Sequence, residues 1–134
     1  MSGHEHAPAP QQLHPDVIKR DCSGEETGCF LWDYDVTDGV VKFKTRILVR
    51  TDVSGAKLQD VLQHERHHWS DFNRRAVALK AAAEKAVKEG RDPELDDRLE
   101  WMLYDYCKDA EAYHRSLDRL SFDSCSEPRT TRPK

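Results

Sequence analysis

Leu58-Gln59-Asp60-Val61-Leu62-Gln63-His64-Glu65-Arg66-His67-His68-Trp69-Ser70-Asp71-Phe72 is the stretch on which the reading of this chain turns. Its apolar residues, Leu58, Val61, Leu62, Trp69 and Phe72, continued by Ala76 and Leu79, recur at three- and four-residue steps. That is the period of an amphipathic α-helix. Within it His64 and His68 stand four apart and share one face, so two imidazoles can grip one metal ion. Glu65 is turned about 100° from His64, close enough to hold a metal-bound water without ligating the ion. H-E-x-x-H thus supplies two neutral nitrogen ligands and one carboxylate base, the parts that metal-assisted hydrolysis needs.

Downstream the helical pattern continues from about Ala56 to Glu89 through an alanine-rich segment of high helix propensity. Gly90 then offers a C-terminal stop, and Asp92-Pro93 starts a second helix running to about Leu120. The apolar stripe of that helix is Leu95, Leu99, Met102, Leu103, Tyr106, Ala110, Tyr113 and Leu117. Folded as an antiparallel hairpin turning near Arg91, the two helices set residue i opposite roughly residue 182 − i. His68 then meets His114, and His64 meets Asp118. A catalytic zinc site uses three protein ligands and keeps one position open. His114 is therefore the expected third ligand, with Asp118 the runner-up one turn on. Asp71 is placed to accept a hydrogen bond from a ligand imidazole, and Tyr113 is a weaker candidate donor to a developing oxyanion. Glu111 and His67 are expected to face solvent.

Upstream, Cys29–Val36 reads as a strand, Thr37-Asp38-Gly39 as a turn, and Val40–Arg50 as a second strand. Val41, Phe43, Thr45, Ile47 and Val49 alternate with Lys42, Lys44, Arg46 and Arg50; Leu48 breaks the alternation. Basic residues along one side suit an exposed edge strand. The fold expected is α+β: an N-terminal β-hairpin followed by a long antiparallel helical hairpin that carries H-E-x-x-H. Residues 1–14 read as a disordered tail, 15–125 as one domain and 126–134 as a second tail, with a short helical turn after Pro15.

At 134 residues, with 34% charged and 37% hydrophobic residues, the chain supports one modest core. The net charge of −4, with Lys and Arg scattered among acids, argues against nucleic acid as a partner. No apolar run approaches the length of a membrane span, and the polar start, Met1 to Gln12, has no signal-peptide core. Cys22 and Cys29 bracket a short polar loop, and Cys107 and Cys125 bracket the end of the last helix. An even count in a small, thin-cored chain favours two disulfides and an oxidising destination, periplasmic or secreted; four reduced core thiols are the alternative.

Strand followed by a helix bearing H-E-x-x-H resembles the zincin superfamily of zinc metallopeptidases, in particular small bacterial secreted zinc-dependent proteases. The resemblance covers residues 40 to 120. It implies a Zn²⁺ cofactor, Glu65 as the catalytic base, and a peptide or peptidoglycan-like substrate docked along the second strand of the hairpin. If the cysteines are bridged, a module of a larger secreted or toxin-like protein is a further reading. The metzincin continuation is absent, since Asp71 and Arg74 occupy the positions after His68, and Lys88 stands where a thermolysin-like Glu would be. Two other readings stay open. Glu65-x-x-His68 and Glu111-x-x-His114 are both E-x-x-H, as in di-iron carboxylate bundles. The chain is alternatively a non-catalytic, disulfide-tied helical module that binds a protein.

Overall fold

The computed structural model describes residues 7–22, 27–116 and 125–133. The chain is α+β. In order it forms β1 (Gln11–Leu13), α1 (Pro15–Cys22), β2 (Gly28–Thr37), β3 (Val40–Arg50), α2 (Gly55–Lys88), a 3₁₀ turn (Pro93–Leu95) and α3 (Asp97–Ser116). The sheet order is β1-β3-β2. The contacts divide into two units. One comprises Lys42–Arg74 with the described part of Gly3–Asp35; the other comprises Val36–Val41 with the described part of Arg75–Lys134.

In the first unit, β1 runs parallel to β3 in the register Gln11↔Leu48, Gln12↔Val49, Leu13↔Arg50. The sheet therefore begins inside the stretch read above as tail. β3 is consequently the middle strand, which corrects its reading as an edge. Three residues of β1, too short and too polar to alternate visibly, are enough to cover Leu48–Arg50. The two faces of β3 go to different helices. Ile47 and Val49 pack with Val53 and with Val61 and Leu62 of α2, joined by Phe30, Leu58 and Trp69. Leu48, the residue out of pattern, packs on the opposite side with Ile18 and Cys22 of α1 and with Cys29. The Cys22–Cys29 disulfide staples that side. Gly28 is required where β2 starts: a Cβ there would lie 2.7 Å from the Leu48 carbonyl oxygen and 2.8 Å from Val61 Cγ1.

Phe72 of α2 is the largest fully buried side chain, 1% exposed. Its ring stacks on Trp32 at 4.9 Å and meets Phe43 at 5.5 Å and Phe30 at 5.8 Å. Phe72→Ala removes the shared partner of three rings, so it is expected to cost about 3–5 kcal/mol of stability. Urea titration of the two proteins measures the difference, and a loss below about 1 kcal/mol would show that the cluster collapses freely around the gap.

In the second unit, α2 and α3 pair antiparallel. Arg75 forms an ion pair with Asp109 and lies over the Tyr106 ring, while Lys85, ten residues on, shares a groove with Arg98 and Trp101. The reversal is built by Gly90 at φ 75° and by the Arg91 amide donating to the Ala86 carbonyl at 2.8 Å, a Schellman closure. Asp38 (φ 53°) and Gly39 (φ 78°) make the two-residue turn between β2 and β3. Next to it, the Val41 amide donates to Glu84 and the Val41 carbonyl accepts from Lys80 Nζ, so α2 side chains satisfy the start of β3.

Asp96 caps α3. Its Oδ1 accepts from the Arg98 and Leu99 amides at 3.0 and 3.3 Å, and its Oδ2 pairs with Arg91 and Arg98. Burial pushes its pKa up, but the hydrogen bonds from Arg91, Arg98 and the Leu99 amide outweigh it, and the net direction is down. A carboxylate with a depressed folded pKa contributes stability above its unfolded value of about 3.9 and loses it as pH falls through the folded pKa. Asp96→Asn keeps a capping oxygen and removes the charge. It is expected to cost about 1–3 kcal/mol at pH 7 and to flatten the dependence of stability on pH below about pH 4. Denaturant midpoints between pH 2 and pH 7 test this; parallel curves for the two proteins would rule it out.

The segment read as a C-terminal tail lies against α3. The Cys107–Cys125 disulfide ties it. Trp101 Nε1 donates to the Thr130 carbonyl at 3.2 Å, and the Arg132 guanidinium lies over the Trp101 ring at 4.3 Å and clamps Asp105 with two bonds of 2.8 and 2.9 Å. Trp101, absent from the expected apolar stripe, is 7% exposed for this reason. No helix among the described residues is long and apolar enough to cross a membrane.

Candidate metal centre

The four-residue spacing on α2 brings His64 and His68 together. Their Nε2 atoms are 3.0 Å apart and their rings meet edge-on, with centroids 4.6 Å apart and planes at 85°. Two ring nitrogens at that separation either share a proton or direct two lone pairs at one cation. A tetrahedral zinc with Zn–N bonds of 2.0–2.1 Å sets its ligand nitrogens about 3.3 Å apart, so the pair is close to the spacing a metal requires. His114 of α3 completes the set: one ligating atom from each of His64, His68 and His114 lies within 4.8 Å of the others. Each is buried, at 6%, 7% and 8% exposure. Three imidazoles suit zinc and its transition-metal neighbours, whereas calcium and magnesium require oxygen donors. Among the described residues no carboxylate belongs to the set.

Glu65 is buried at 6%. It continues the stripe formed by Leu58, Val61 and Leu62 on one side and Trp69 and Phe72 on the other, all at three- and four-residue steps. A carboxylate in the middle of an apolar stripe is costly unless something polar repays it. It is one residue from His64 and outside the ligand set, the placement expected of a base beside a metal.

The remaining sequence candidates divide. Asp71, one turn after His68, is 8% exposed and paired with Arg74. Tyr113 is half-buried, its ring centroid 6.5 Å from that of His114. His67 is exposed, as its place on the helix predicts. Asp118 lies outside the described residues. Glu111 corrects the sequence reading: expected in solvent, it is 9% exposed, with Lys108 Nζ 3.3 Å from its carboxylate. The signal that could have found it is the E-x-x-H spacing, which sets it one turn before His114. Both disulfides expected from the cysteine spacing are formed, and no described cysteine is free. They are compatible with an extracellular location. No protein-family model, curated protein or solved structure matches this chain.

Proposed function

We propose that this chain is a zinc-dependent hydrolase of amide bonds, of the kind the zincin resemblance implies, acting on a peptide or peptidoglycan-like substrate in the periplasm or outside the cell. The observation that carries the reading is the convergence of His64, His68 and His114 with Glu65 buried beside the first of them. His64, His68 and His114 would hold the ion. When bound, zinc supplies Lewis acidity, acidifying a coordinated water toward neutral pH and polarising the scissile carbonyl. Glu65 takes the proton of the attacking water and delivers it to the departing amine nitrogen. The apolar residues flanking Glu65 on its helix face keep bulk water from it. The half-buried Tyr113 is the side chain nearest in sequence to His114 with a hydroxyl to offer the carbonyl oxygen.

Elemental analysis of the purified protein, paired with release of new amines from an unfolded protein and from a crosslinked muropeptide, tests the proposal. One zinc per chain with amine release from either substrate supports it. Two irons per chain would replace it with the di-iron reading, and a metal-free protein that stays inert when given zinc would leave the protein-binding module.

A further inference from the structure

Among the described residues, the buried polar side chains are His64, Glu65, His68, Asp71, Asp96, Glu111 and His114. Asp96 is accounted for by the α3 cap. Each of the other acids lies within one helical turn of a cluster histidine: Glu65 beside His64, Asp71 after His68 and Glu111 before His114. Glu111 is the least expected. Of the acids on α3, Asp97 and Asp109 are exposed, and Glu100 and Asp105 are half-buried; only Glu111 is buried. Its ion pair with Lys108 does not require this. The Lys108 side chain is 45% exposed, so the same pair is available in water, where it costs no desolvation. A carboxylate kept inside when a solvated pairing is within reach is kept there by something inside.

Three residues apart on a helix, Glu111 and His114 have Cβ atoms about 5–6 Å apart on neighbouring positions of one face. That spacing lets a carboxylate oxygen accept from one imidazole nitrogen while the other nitrogen is directed away. Metal-ligating histidines characteristically donate their second N–H to such a group, which fixes the tautomer, sets the ring and raises the basicity of the ligating nitrogen. We infer that Glu111 is a positioning residue for His114: its buried carboxylate accepts the N–H of the nitrogen that does not ligate, and so prepares the other nitrogen to bind metal. The inference rests on the metal reading of the histidine cluster, and it concerns affinity for the ion, not turnover.

Zinc dissociation constants, read by competition with a chromophoric chelator, test it on wild type, Glu111→Leu and Glu111→Gln, each checked for fold by circular dichroism. Loss of the acceptor in Glu111→Leu is expected to weaken zinc about 10–100-fold. Glu111→Gln keeps a neutral carbonyl acceptor and is expected to lose markedly less. The cobalt(II)-substituted Glu111→Gln protein is expected to show a displaced d–d band, because a weaker acceptor makes His114 a weaker donor; this readout also serves if the leucine variant does not fold. Unchanged affinity in both variants, or an unchanged cobalt spectrum together with unchanged affinity in Glu111→Gln, overturns the role while leaving the histidine site in place. A wild type that binds two metals where Glu111→Gln binds one overturns it in favour of Glu111 as a ligand. A wild type that binds no zinc sinks the site reading and this inference together.

Discussion

Glu65→Gln is expected to bind zinc as wild type does and to lose hydrolysis by at least about 10²–10⁴-fold, the range that a positioned general base contributes. The substitution is nearly isosteric and leaves His64, His68 and His114 untouched, so the ligand set keeps its geometry. What it removes is the ability to take a proton. An amide nitrogen is already fully protonated, and an amide oxygen is too weak a base to accept one from water. Because Glu65 is 6% exposed, solvent cannot stand in for it by simple access. The swap conserves volume, so the metal-free Glu65→Gln protein is expected to keep a denaturation midpoint close to that of wild type. A drop in turnover alone would fit a folding defect; a drop together with unchanged zinc content and an unchanged midpoint fits only the loss of a base. Cleavage of substrate by Glu65→Gln at the wild-type rate would remove Glu65 from the reaction and the proposed mechanism with it.

The parts of the fold that were legible in the sequence are those in which one local rule acts alone. The two-residue period of Val40–Arg50 specified β3 to the residue, and the Asp38-Gly39 turn fixed its partner strand. The 3.6-residue period of α2 survived 34 residues because nothing in that span breaks a helix and the alanines favour one. The parts that were not legible depend on residues far apart in sequence. Gln11–Leu13 has no alternation of its own and becomes a strand because β3 offers it a parallel partner. Leu48 looked out of register because the alternation rule assumes one wet face, and α1 covers that face. Trp101 is buried by Thr130 and Arg132, about thirty residues on, with no periodic relation to it. The site divides in the same way. His64, Glu65 and His68 come from a local spacing. His114 was accessible because hairpin register is simple arithmetic, and the Arg75–Asp109 pair within the second unit shows that register in place. Glu111 was missed because the apolar stripe of α3 was taken to define its only buried face, whereas polar residues near the histidine cluster are buried as well.

His114→Ala is the variant that separates a metal centre built from two helices from a pair of histidines that happen to face each other on one. His64 and His68 alone, with Nε2 atoms 3.0 Å apart, form the two-point i, i+4 chelate that many helices present on a surface. The third nitrogen, within 4.8 Å of both, comes from a residue 46 positions further on than His68. Its removal leaves two protein ligands where a catalytic site uses three. The loss in zinc affinity is expected to exceed the roughly 100-fold upper range seen on removing a group that merely supports a ligand. The consequence for stability follows by mass action. With free zinc at about 100 times its dissociation constant, wild type gains about 2.7 kcal/mol. His114→Ala at the same zinc concentration, now at or below its own dissociation constant, gains about 0.4 kcal/mol or less. Melting curves with and without zinc are therefore expected to show a large upward shift for wild type and almost none for the variant, while the two metal-free proteins melt close together. An equal shift in both would exclude His114 as the third ligand and make Asp118, four residues further along the sequence, the residue to replace next.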